Sequence, residues 1–273
     1  MRVKLAKKYG FCFGVKRAIH ITEQNKNSTT LGPLIHNARE IARLEKDFGV
    51  RLSEKLENLD NHQKVIVRTH GITKQDLQVL KQKEIQIIDA TCPFVSKLQD
   101  IVKEMGKEGY QIIIFGDKMH PEVKGVASYA ENVHIVASMQ EIKEMKWSKK
   151  VALVSQTTKQ PEQFGAIAMY LVSKVKECRI FNTICNATFD NQYATDEISK
   201  DVDVMIVVGG KNSSNTKQLL EIAKGHCPHS YLVEDENDVQ ESWFEGKELC
   251  GITAGASTPD WIIQQVQAKI EQI

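Results

Sequence analysis

Gln111-Ile-Ile-Ile-Phe115, followed by Gly116-Asp117-Lys118-Met119-His120-Pro121-Glu122, decides the fold. A short unbroken apolar run bounded by a glycine and polar residues reads as a strand covered on both faces. The same grammar recurs on either side. Lys64–Val67 (KVIV) and residues 85–88 (IQII) precede it. Residues 151–154 (VALV), 203–208 (DVMIVV) and 249–253 (LCGIT) follow. Between these runs lie amphipathic stretches. Phe94, Val95, Leu98, Ile101, Val102 and Met105 share one helical face, as do Phe164, Ile167, Leu171 and Val175. A last helix is predicted to start with Thr258 as N-cap and Pro259 as its first residue, with Ile262, Val266 and Ile270 facing inward. Strands alternating with helices imply parallel sheets and the α/β class.

The turns after the strands carry the chemistry. They read Arg68-Thr69-His70-Gly71, Asp89-Ala90-Thr91-Cys92-Pro93, Ser155-Gln156-Thr157-Thr158, Gly209-Gly210-Lys211-Asn212-Ser213-Ser214-Asn215-Thr216 and Ala254-Gly255-Ala256-Ser257-Thr258-Pro259. In parallel α/β sheets ligands bind at the carboxyl ends of strands. Any one Ser or Thr there is explained by helix capping. His70, His120 and Cys92 at the same strand ends are not.

The chain has 273 residues, 41% of them hydrophobic, and a formal net charge of +1, so it can bury a core and lacks the basic excess of a nucleic-acid binder. Small ligands are expected. No apolar run approaches a membrane span, and Lys16 and Arg17 interrupt the N-terminal one too early for a signal peptide, so a cytoplasmic protein is expected. Six cysteines without a secretion signal read as thiols. With no CxxC pair, a metal would have to gather cysteines from distant parts of the chain.

Cys92 precedes Pro93 at a predicted helix N-terminus, where the dipole favours thiolate. Cys12 lies in Gly10-Phe11-Cys12-Phe13-Gly14 before Val15, Ala18 and Ile19, and Cys185 in Asn182-Thr183-Ile184-Cys185-Asn186-Ala187-Thr188. Cys178, Cys227 and Cys250 are read as small core hydrophobes. The three singled-out cysteines divide the chain into comparable pieces. We therefore expect three small α/β lobes at 1–92 (with the N-terminal strand and the Cys12 loop), 93–184 and 185–273 (with the C-terminal helix). His36, His70 and His120 lie in site-like turns; His20, His62, His134, His226 and His229 do not.

Two other readings remain open. The three histidines could hold zinc in a metallohydrolase, although no helical His pair has the usual spacing. A non-catalytic phosphosugar- or nucleotide-binding protein, with the cysteines in its core, is the other. Colour separates them, because an iron–sulfur protein is brown.

In order along nearly the whole chain stand GFCFGVKRAI, GPLIHN, RTHG, DATCPFV, GDKMHPEVKG, SQTT, NTICNAT, GGKNSSNT and TAGASTP. This ordered set resembles the 4-hydroxy-3-methylbut-2-enyl diphosphate reductases, the LytB (IspH) family, which carry out the last step of the methylerythritol phosphate route to isoprenoid precursors. The resemblance implies three lobes around a central [4Fe–4S] cluster on Cys12, Cys92 and Cys185, one cluster per chain, with one iron left open to substrate oxygen. It implies reductive dehydroxylation to isopentenyl and dimethylallyl diphosphates. It places Glu122, His120 and Thr157 in proton supply. It also places His36, His70, His120, Gln156, Thr157, Thr158, Ser213, Ser214, Asn215 and Ser257 around the diphosphate. The sequence carries no flavin motif or second cysteine cluster, so electrons are expected from a separate ferredoxin or flavodoxin.

Overall fold

The structure is a computed structural model that describes residues 1–60 and 63–273. His62 lies outside the described residues. Three four-stranded sheets, all parallel, account for the described strands. The expected three parallel-sheet α/β lobes are therefore present.

The chain clusters into two compact units. The first comprises Met1–Lys16, Ile35–Arg43 and Asn186–Ile273. Its sheet has the order β1-β12-β10-β11, with β1 at Arg2–Leu5, β10 at Val204–Val208, β11 at Ser230–Val233 and β12 at Leu249–Ala254. The second comprises Arg17–Leu34 and Leu44–Cys185 and holds two sheets. One has the order β3-β2-β4-β5, with β2 at Thr29–Leu31, β3 at Arg51–Ser53, β4 at Lys64–Val67 and β5 at Gln86–Asp89. The other has the order β7-β6-β8-β9, with β6 at Gln111–Phe115, β7 at Val133–Val136, β8 at Lys150–Ser155 and β9 at Glu177–Ile180.

The apolar runs reveal the central strands β4, β6, β8, β10 and β12. They also reveal β5, which proves to be an edge strand exposed at Gln86 and Asp89 rather than covered on both faces. The central three-residue β2 has no such run. All of β6 and β10 is buried, as is β8 after Lys150. Each Ile, Val or Leu taken fully out of water there contributes about 1.5–3 kcal/mol before entropy is counted. Helices cover both faces: Leu98, Val102, Val123 and Val126 pack on one side of the β6 sheet, and Phe164, Ile167 and Leu171 on the other.

Three expectations need correction. The N-terminal strand does not belong to the first lobe; β1 runs parallel to β12, from Arg2 opposite Leu249 to Leu5 opposite Ile252. The chain thus begins and ends in one sheet, a pairing that no local pattern encodes. Phe94 is not core but 43% exposed; it shares a helical face with Leu98 but sits in the first turn of its helix, which begins at Pro93. The last helix starts one residue late, at Asp260 with Pro259 as N-cap. Thr258 instead spends its hydroxyl on the Val208 carbonyl, 3.0 Å away, fastening the turn after β12 to the end of β10.

Candidate functional site

In the second unit, the turn after β6 leads into helix α5 (Pro121–Ala127), and His120 is its N-cap. Its Nδ1 accepts the Glu122 backbone N–H at 3.3 Å. A ring nitrogen used as an acceptor is unprotonated, so a neutral His120 carries its proton on Nε2. The His70 ring meets the His120 ring edge to face, with centroids 5.3 Å apart.

Glu122 is the anomaly of this unit. A glutamate in the first turn of a surface helix is normally solvated; this one is 2% exposed. Its carboxylate accepts the Thr157 backbone N–H at 2.7 Å and the Thr157 hydroxyl at 2.6 Å. Burial pushes the Glu122 carboxyl above the ordinary glutamate range, and the two Thr157 hydrogen bonds only partly oppose that. A carboxyl held this way keeps a proton at higher pH than a surface glutamate would.

Thr157 follows β8. Its neighbour Gln156, fully buried, accepts the Asp117 N–H at 2.9 Å and donates to the Thr158 hydroxyl at 2.9 Å. Gln156 thereby ties the turn bearing His120 to the turn bearing Thr157. A side chain at Gly116 would place its Cβ 2.8 Å from Val123 Cγ2 and 3.1 Å from Gln156 Cβ, so glycine is what lets these turns close. Cys185 is held to the same segment, its N–H donating to the Thr157 carbonyl at 3.0 Å. Helix α8 (Asn186–Ser199) starts directly after it. Cys92 is the N-cap of helix α4 (Pro93–Lys107), with its own N–H on the Thr69 carbonyl at 3.0 Å.

In the first unit, the turns after β10 and β12 carry the polar set. Ser213 caps helix α9 (Ser214–His226), accepting the Thr216 N–H at 3.2 Å. Ser257 donates to the His36 carbonyl at 3.4 Å, which joins His36, just before helix α2 (Ala38–Phe48), to this group. A Cβ on Gly210 would fall 2.4 Å from the same carbonyl, so the backbones approach here as only glycine allows. The side chain of Asn215 is 4% exposed, and neither its Nδ2 nor its Oδ1 meets a partner. Buried amides are normally satisfied. This one stands open next to a helix N-terminus and a glycine pair, where it can donate to a ligand.

Cys12 also stands at the start of a helix, α1 (Phe13–Gln24). Burial raises its thiol pKa, while the amides of Val15 and Gly14 and the charge of Lys16 act in the opposite direction. The helix position alone predicts only the lowering part. No disulfide links the six cysteines. Cys12, Cys92 and Cys185 are each partly exposed and each opens a helix, which suits thiolate ligands. Cys227 and Cys250 are buried in apolar clusters, the Cys250 thiol pushed up to about 12 chiefly by desolvation, and Cys178 packs at the edge of another. As a donor set the first three fit an iron–sulfur cluster and the last three do not.

Sequence reasoning missed α8. Its buried residues include Thr188, Asn191, Gln192, Thr195 and Ser199, while Phe189 and Tyr193 are 52% and 62% exposed. Beside Ala194 and Ile198, which join an apolar cluster, the helix turns a stripe of polar residues inward and its two aromatics outward. The signal was present in NATFDNQYAT, where uncharged polar residues recur at helical spacing and the aromatics fall between them.

A profile of the LytB protein family matches residues 3–271. A 4-hydroxy-3-methylbut-2-enyl diphosphate reductase of Helicobacter hepaticus is 69% identical over 273 residues, covering 100% of both chains. One from Helicobacter pylori is 62% identical over 274 residues, also with 100% of both covered. A solved structure described as (E)-4-hydroxy-3-methyl-but-2-enyl diphosphate reductase, the terminal enzyme of the non-mevalonate pathway, is 39% identical with TM-score 0.72, covering 100% of both chains. A reductase structure from Plasmodium falciparum is 30% identical with TM-score 0.92, covering 99% of this chain and 87% of that one.

Proposed function

The chain belongs to the LytB family, and from that premise we propose that it reduces 4-hydroxy-3-methylbut-2-enyl diphosphate to isopentenyl and dimethylallyl diphosphates. The observation that carries the chemistry is the buried Glu122 carboxyl, held from two directions by Thr157 and biased toward its protonated form.

Cys12, Cys92 and Cys185 would hold the [4Fe–4S] cluster, and no other cysteine has a site-like setting. When bound, that cluster supplies single electrons and a Lewis-acidic iron that no cysteine occupies.

The remaining work falls to side chains. Replacing the allylic hydroxyl by hydrogen consumes two electrons and two protons and releases water. Glu122, buried and with its pKa raised, is suited to hold one of those protons and act as a general acid. The Thr157 N–H and hydroxyl fix which carboxylate edge is presented. The capping bond on His120 Nδ1 leaves Nε2 to donate, so His120 can relay a proton or hydrogen-bond the diphosphate. His70, packed on His120, and Thr158, on Gln156, complete the donors of the second unit. In the first unit, His36, Ser213, Ser214, Asn215 and Ser257 bind diphosphate oxygens, helped by the α9 N-terminus. Gln156 has its amide engaged with Asp117 and Thr158, so its part in this shell is to position. Electrons come from an external carrier such as a ferredoxin or flavodoxin. No helix among the described residues is long and apolar enough to cross a membrane.

Anaerobic purification tests the reading. The wild-type protein should be brown and contain iron. Cys12→Ser, Cys92→Ser and Cys185→Ser should each lose most of that absorption, and Cys178→Ser should keep it. A colourless wild-type protein carrying stoichiometric zinc would sink the proposal, as would full iron and full activity in Cys92→Ser.

A further inference from the structure

The buried polar stripe of helix α8 poses a question that the proposed chemistry leaves unanswered. Thr195, on its inner face, shares a hydrogen bond with Thr253 of β12, Oγ1 to Oγ1 at 2.9 Å, and the Ser199 hydroxyl turns back to the Asp196 carbonyl at 3.0 Å. Asn191 and Gln192, 5% and 6% exposed, have no such answer: Asn191 Nδ2 and Gln192 Nε2 meet no acceptor. A buried amide without a partner costs of order 1–3 kcal/mol. Nothing about a surface helix requires that cost, and two adjacent residues bear it.

Topology says where these amides lie. Helix α8 ends at Ser199 and the chain enters β10 at Val204, so the helix runs against the direction of β10 and of β12, which is parallel to β10. Thr195 is level with Thr253, near the carboxyl end of β12. Asn191 is one turn nearer the α8 N-terminus than Thr195 and on the same face. That step leads past the strand ends, toward the turns where the Gly255 N–H joins the Val208 carbonyl at 2.9 Å and Asn215 also stands unmet. All of these residues belong to the first unit.

We propose that Asn191 and Gln192 are further substrate-binding residues, whose carboxamide N–H groups extend the Asn215 donor set and take diphosphate oxygens. The proposal rests on the reductase reading, because that reading supplies the anion. Neutral amides suit the role. They donate to phosphate without adding cations, and their unmet state is relieved only by an acceptor that arrives from outside.

The test pairs affinity with stability, since the two readouts diverge for this role. Asn191→Leu and Gln192→Met, close in size to the originals, remove an unmet amide. Each should leave the thermal midpoint of the ligand-free holoenzyme unchanged or raised. Each should weaken substrate and inorganic pyrophosphate binding by about tenfold, the effect of losing a hydrogen bond to a charged group. Asn191→Asp, which sets a carboxylate against the anion, should weaken both by more. Asn191→Asp also keeps the test alive if a Leu or Met variant fails to fold. Unchanged pyrophosphate and substrate affinity in all variants would overturn the proposal. A lowered midpoint with unchanged affinity would overturn it too, by assigning the amides to internal water. A wild-type enzyme that binds neither ligand would instead sink the reductase reading itself.

Discussion

In the second unit the buried Glu122 carboxylate accepts both the backbone N–H and the hydroxyl of Thr157, while in the first unit the buried Asn215 amide meets nothing. Both side chains are nearly inaccessible, so burial alone does not distinguish them. What differs is whether the protein has satisfied them in advance. A group that handles protons must be held in one orientation before substrate arrives, because reorganisation during reaction is costly. A group that binds an anion is better left with its donors open, because binding then satisfies them. On the proposed reading, Glu122 is the clearest case of the first kind and Asn215 of the second.

The most severe break in the comparison is on the locked side. Glu122→Gln keeps the size and can still bond to Thr157, but it has no acidic proton. Turnover should fall by about a hundred- to ten-thousandfold, while substrate affinity, read from the cluster spectrum, changes little. Near-normal turnover would move the proton source to His120 or to the substrate.

On the open side, Asn215→Leu should weaken substrate binding by roughly ten- to a hundredfold. Because it removes an unsatisfied buried amide, it should cost no stability. A large fall in thermal midpoint would show that Asn215 is a structural residue with an internal partner.

A gentler probe sharpens the locked side through pH. The Glu122 pKa is raised by desolvation, and the Thr157 bonds pull it down. A general acid is lost when it ionises, so turnover should decline as pH rises through the Glu122 value. A raised carboxyl pKa also means that the stability tied to this group is full at low pH and lessens as pH rises through the same value. Thr157→Val deletes the hydroxyl bond that favours the ionised form. The declining limb should therefore move to higher pH, and Glu122→Gln should lack it. A shift to lower pH would contradict the assignment.

The smallest effect is expected at Cys178, which packs at the margin of the apolar cluster around Phe164 and Leu171. Cys178→Ala should leave iron content and turnover unchanged within error.

The sequence made β6, β8 and β10 plain because they are covered on both faces and are therefore written as unbroken apolar runs, whereas the central β2, only three residues long, was not legible. The edge strands β3, β7, β9 and β11 were not legible. They are short, and their exposed positions admit polar residues such as Arg51, His134 and Arg179. The pairing of β1 with β12 was hidden for another reason: it joins the two ends of the chain. Most proposed site residues were legible because strand ends in α/β folds collect ligand-facing turns. The burial of Glu122 was not, since a glutamate after His-Pro at a helix start has the same local pattern whether it faces solvent or Thr157. The inner stripe of α8 escaped because the search for amphipathic helices assumes that the buried face is the apolar one.

The most direct test of the central claim is anaerobic turnover of the iron-loaded protein with reduced methyl viologen and 4-hydroxy-3-methylbut-2-enyl diphosphate, with products identified by mass and magnetic resonance. The account predicts oxidation of two viologen radicals per substrate consumed, and isopentenyl and dimethylallyl diphosphates as the products, with the diphosphate intact. Release of inorganic phosphate or pyrophosphate without viologen oxidation, or unchanged substrate alongside a fully loaded cluster, would contradict it.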